Sequence, residues 1–110
     1  MRTLRFIVNK QLIRPDPDCD FSGLVPGTKG YLQAEFIFSP EWKGCTKVAS
    51  FWSRSGEEFT PQVLKDGKTC TIPEEALVEK SFDIQIIGKR ENFKLITNKW
   101  TVRQKGEYKN

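Results

Sequence analysis

Apolar and polar residues alternate along most of this chain with a period of two. In YLQAEFIFS, Leu32, Ala34, Phe36 and Phe38 fall on one side and Tyr31, Gln33, Glu35 and Ile37 on the other. Successive strand side chains point to opposite faces, so the run predicts a half-buried strand. SFDIQIIG repeats the pattern, with Phe82, Ile84 and Ile86 inward, Asp83 and Gln85 outward, and Gly88 as its end. TLRFIV sets Leu4, Phe6 and Val8 opposite Arg5. TKVASFWS sets Ala49 and Phe51 opposite Val48, Ser50 and Trp52. Taken as one strand, FKLITNKWTVR puts Ile96, Asn98, Trp100 and Val102 on one face and Leu95, Thr97 and Thr101 on the other.

Turn-forming clusters separate these runs: RPDPDCD, VPGTKG, SPEWKG, SRSGEE and KDGK. Asp66-Gly67 between PQVL and TCTI is a tight-hairpin signal, because a type I′ turn needs positive φ at both central residues. IPEEALVEK alone reads as helical, over one or two turns near residues 73–78: Pro73 suits a first helical position, and Glu74 and Glu75 suit the positive helix N-terminus. About seven or eight short strands in a chain of this length predict an all-β protein, a single antiparallel β-sandwich of Ig-like or jelly-roll-like kind. Residues 1–105 are expected to form that domain and residues 106–110 a frayed tail.

Composition narrows the picture. With 110 residues, 37% hydrophobic and 29% charged, the chain suits one modest globular core and no second one. No apolar run approaches the ~20 residues of a membrane-spanning helix. Arg5 interrupts the N-terminal apolar patch and no small-residue cleavage site follows, so a secretory leader is not expected. The formal charge of +4 is uneven: residues 1–88 carry 11 Lys/Arg against 12 Asp/Glu, and residues 89–110 carry 7 against 2. The whole excess therefore sits in the last fifth of the chain, as an exposed strand face or a surface for an acidic partner.

The chemistry bearing on catalysis is sparse. There is no histidine, which removes the commonest general base, the Ser-His-Asp and Cys-His arrangements and most metal-ligand sets. Cys19, Cys45 and Cys70 are odd in number and contain no Cys-x-x-Cys pair, so buried or half-buried thiols in a reducing compartment are expected. Lys43 and Lys47 flank Cys45, but nothing beside them supplies a base, and Cys45 reads as a turn cysteine. Asp16, Asp18 and Asp20 have the spacing of calcium ligands, yet the sixth position is Phe21 and the twelfth Gly27, where a glycine and an acid are required. Glu57 and Glu58 are adjacent and would point to opposite faces of a strand. GLVPGTKG lacks the Gly-Lys-Ser/Thr ending of a phosphate loop. No cofactor, metal or catalytic residue is expected. Trp42, Trp52 and Trp100 with the basic C-terminal segment could line a stacking groove for single-stranded nucleic acid, against the plainer reading of core anchors and a rim residue.

The order of motifs resembles a group of small β-rich modules in tailed-phage structural proteins of Gram-positive hosts, often the N-terminal part of baseplate, fibre or appendage proteins. The resemblance rests on Tyr31, Leu32, Ala34 and Phe36; then Phe38, Ser39 and Trp42; Lys47, Ala49 and Phe51; Cys70, Ile72, Pro73 and Glu75; and Ile96, Thr97 and Asn98, and it spans residues 4–103. The chain departs from that group in a short stretch after the second tryptophan and in ending at Asn110 with no long fibre part. The resemblance implies a non-enzymatic protein–protein attachment module, a virion structural component able to self-associate, in the virion or host cytoplasm. The alternatives are a small phage-encoded inhibitor that binds a host defence protein, and a single-stranded nucleic-acid-binding protein. Trp52 or Trp42, whichever lies exposed, is the expected anchor, because tryptophan is enriched at interface hot spots; Arg103 and Lys105 are the expected rim.

Overall fold

The structure, a computed structural model, describes residues 1–106. The alternating runs become nine strands: β1 (Arg2–Asn9), β2 (Leu12–Pro15), β3 (Leu32–Phe38), β4 (Thr46–Trp52), β5 (Gln62–Val63), β6 (Thr69–Thr71), β7 (Ser81–Arg90), β8 (Phe93–Ile96) and β9 (Trp100–Arg103), with a single helical turn α1 (Glu74–Leu77) before β7. One sheet has the order β2-β1-β3-β6. The other has the order β5-β4-β7, with β8 and then β9 along the far side of β7. The inward positions of both sheets, Leu4, Phe6, Ala34 and Phe36 from one and Phe51, Phe82, Ile84 and Ile86 from the other, are all but fully buried in one core cluster. The fold is thus the expected all-β, two-sheet, sandwich-like one.

One pairing departs from the antiparallel expectation. β1 and β3 run parallel, in register from Arg2↔Leu32 to Val8↔Phe38; every other strand pairing among the described residues is antiparallel. The cause is local. β2 turns back from β1 through Lys10 and Gln11, with Lys10 at φ 56°, and takes one side of β1. Residues 16–31 then carry the chain back to the end where β1 began, so β3 enters on the free side in the same direction. This crossover also contributes to the core: Leu24 is buried, and Phe21 meets Phe6 edge-on with ring centroids 5.4 Å apart.

Asp66 and Gly67 do form the tight turn, with φ of 55° and 69° and Lys68 N–H donating to Lys65 O at 3.0 Å. The strands on either side do not form a hairpin ladder, however. They meet at one bridge, Lys65↔Thr69, and then diverge, β5 into one sheet and β6 into the other. A turn signal specifies how the chain reverses, and the pairing partners are set by which strand edges lie within reach. The helical segment is shorter than expected: Pro73 stands before its first turn with ψ 142°, and Glu74–Leu77 alone are helical. The carbonyls at and just beyond its end are held by Gln104, whose Nε2 donates to Leu77 O at 2.9 Å and Glu79 O at 2.8 Å.

The last run is not one strand. β8 pairs with β7 through Ile87↔Ile96, and β9 pairs through Ile84↔Trp100, so Thr97, Asn98 and Lys99 stand opposite only Gln85 and Ile86. The extra residue is a β-bulge, which reverses side-chain parity. Thr97 and Val102 are therefore buried, while Ile96 and Asn98 are exposed, which corrects the single-face assignment made from periodicity. The bulge is held by Thr97: its N–H donates to Ile86 O at 3.0 Å, and its Oγ1 accepts from Ile86 N–H at 3.0 Å. Gly88 likewise does not end β7 but lies buried inside it. Gly106, expected to fray, donates its N–H to Leu24 O at 2.8 Å; the remaining tail positions lie outside the described residues.

Candidate functional site

A cleft of about 470 Å³ opens where the edge of one sheet approaches the edge of the other. One wall is the whole of β9, Trp100 through Arg103, continued by Lys105; the other comes from Pro15 at the end of β2 and from Phe21 to Leu24 of the crossover. β9 follows the bulge, so Trp100 shares its face with its partner Ile84, the inward face. It lies at the margin of the sandwich and remains 37% exposed. Val102 below it is buried, and Arg103 is exposed. The floor is thus apolar and one rim cationic. No carboxylate lines the cleft among the described residues, and neither Arg103 nor Lys105 forms an ion pair with another described residue.

Arg103 and Lys105, named from sequence as rim residues, are brought together here. Neither of the two alternative anchors lines this cleft. Trp42 closes a 3-10 turn (Pro40–Trp42), is 0% exposed, and donates its Nε1–H to Lys10 O at 2.8 Å. Its ring lies against β7 where Gly88 leaves room, so it is a core residue and cannot touch a partner. Trp52 is half-buried on the outer face of the second sheet, opposite Asp83, and the Lys99 ammonium sits 3.7 Å from its ring centroid. Its ring is thus already covered on one side by a charged neighbour. The three tryptophans share no groove: Trp42 is inside, Trp52 and Trp100 lie on opposite faces of one sheet. The stacking groove weighed for the three as an alternative is therefore absent among the described residues, and Trp42 is the core anchor of the plainer reading.

Sequence reasoning missed Trp100, Phe21 and Leu24 as cleft residues. The polar triplet Thr97-Asn98-Lys99 inside an otherwise strand-like run was the available signal, since it marks where parity changes. Phe21 and Leu24 sit in a loop with no periodicity, and nothing in their spacing places them opposite β9.

The other candidate groups have structural occupations. Asp16 is buried and takes an ion pair from Arg5 at 3.5 Å, while its Oδ1 accepts from Asp18 N–H at 3.0 Å. Asp20 Oδ1 accepts from Ser22 N–H at 2.8 Å, and the Ser22 side chain and backbone hold the Asp20 carboxyl below its ordinary value. These acids shape the crossover as capped turns. All three cysteines are free thiols. Cys45 is buried behind the 3-10 turn, and burial pushes the Cys70 thiol up to about 12, so it holds its proton. No family model matches the chain, and neither the curated proteins nor the solved structures contain a match.

Proposed function

We propose that this chain is a non-enzymatic protein–protein attachment module of phage type, a structural component of the virion. The observation that carries the reading is the cleft beside β9, where an exposed tryptophan, an apolar floor and two cations without ionic partners among the described residues meet at one sheet edge. Aromatic residues and arginine at a partly open apolar site are what protein interfaces enrich. The order of motifs resembling tailed-phage modules supports the virion as the setting, where repetition of a weak contact supplies avidity. Mass spectrometry of purified particles of the phage that encodes the chain tests this. The expected result is the chain at a fixed ratio to a tail or capsid protein. Its absence from particles, with the chain left in the soluble host fraction, overturns the virion assignment.

A further inference from the structure

We infer that β9 receives an extended acidic segment of a partner protein as an added strand, with the cleft taking that segment's inward side chains. The inference rests on the attachment reading and gives its partner a chemistry.

The backbone carries the argument. Gln104 N–H donates to Lys80 O at 2.8 Å, which continues the β7–β9 register Ser81↔Arg103 and Phe82↔Val102. Antiparallel pairs alternate between exchanging hydrogen bonds and not doing so. Trp100 and Val102 therefore spend their backbone groups on β7, as Gln104 spends its N–H on Lys80 just before it, and the N–H and C=O of Thr101 and Arg103 point away from it. β9 pairs with no other strand among the described residues, so these four groups form an open edge. The cleft runs along that edge, since residues of both parities, Trp100 to Arg103, line it.

An occupant must offer alternating donors and acceptors along an extended chain, which a polypeptide backbone does. A nucleic-acid phosphate only accepts and would set its oxygens against the carbonyls of Thr101 and Arg103. Added about 4.8 Å from β9, a strand would point alternate side chains into the cleft, between Trp100 and Leu24, and the rest outward beside Arg103. The inward ones must be apolar. Acids suit the outward ones, because Arg103 and Lys105 lack ionic partners among the described residues. A second copy pairing β9 with β9 would bring those cations together, which cross-strand pairing disfavours.

The test uses a fluorescein-labelled heptapeptide alternating Glu and Leu, with controls alternating Lys and Leu or grouping the same Glu and Leu residues in blocks. The full chain is titrated by anisotropy, and amide hydrogen exchange is followed by NMR. The alternating acidic peptide is expected to bind at least tenfold more tightly than either control and to protect the Thr101 and Arg103 amides. R103A should weaken binding about fivefold, the scale of one exposed ion pair. R103P removes in addition an N–H that β7 does not use, and should weaken binding more than R103A does. If R103P fails to fold, amide protection in the unaltered chain decides the matter. Absence of binding at millimolar peptide, binding that leaves both amides unprotected, protection that grows with protein concentration alone, or equal binding of an oligothymidine would each overturn the added strand. Failure here with the chain still found in particles would move attachment to another face. Peptide binding with the chain absent from particles would overturn the virion reading and leave this one standing.

Discussion

A methyl group at position 88 would lie 2.7 Å from Cζ3 of Trp42 and 2.8 Å from Cε3. Real side-chain carbons do not approach so closely, so the tryptophan and the glycine are one feature: the ring occupies the space that the missing side chain leaves. G88A is expected to destabilise the fold by about 1–3 kcal/mol, the usual effect of overpacking. W42A removes a large buried ring and should cost about 3–5 kcal/mol. The two changes share one space, so urea unfolding of the double variant should show less than the sum of the singles; simple additivity would contradict the pairing. Cys70 offers a second test at this scale. Its thiol holds its proton in the folded state to about pH 12, against an ordinary value of 9.0. Between those values the folded chain binds the extra proton, so this thiol's contribution to stability is full below pH 9.0 and falls as pH rises toward 12. Mass spectrometry after brief alkylation at pH 8 should find Cys19 modified first and Cys70 last, since Cys19 is half-buried and Cys70 buried.

At the scale of the element, the bulge of Thr97-Asn98-Lys99 decides which face of β9 looks inward. T97V keeps the shape of the buried side chain and removes the Oγ1 that accepts from Ile86 N–H. It should cost about 1–3 kcal/mol, because a buried donor loses its partner. Faster exchange of the Ile86 amide is the specific sign, and unchanged exchange would show that the hydroxyl is dispensable. Strands were legible in the sequence wherever a run kept one parity, as in β1, β3, β4 and β7, because one buried face imposes the alternation. Parity was misread only across the bulge, where an extra residue shifts the register without changing the residue types around it. The partners of the strands were not legible. The parallel β1–β3 pair and the separation of β5 from β6 depend on where residues 16–31 and the Asp66-Gly67 turn deliver the chain in space. The candidate site was half legible: Arg103 and Lys105 stood out through charge, whereas Trp100 was hidden by the parity shift and Phe21 and Leu24 by an aperiodic loop.

At the scale of the molecule, part of the C-terminal charge excess acquires a location. Arg103 and Lys105 lie on and follow the open edge of one sheet, and the opposite wall of the cleft is supplied by the crossover that makes β1 and β3 parallel. One irregularity in the topology thus builds the side of the cleft that faces another irregularity, the bulge before β9. Neither cation supports the fold through an ion pair with a described residue, so R103E/K105E should leave the thermal midpoint within a few degrees of the unaltered chain. The central claim is that this cationic edge attaches the chain to a protein of the particle. Its most direct test is co-sedimentation of purified chain with particles assembled without it, comparing the unaltered protein with R103E/K105E. The unaltered chain should sediment with particles at saturable stoichiometry while the folded double variant stays in the supernatant. Equal sedimentation of both, or of neither, would contradict the account.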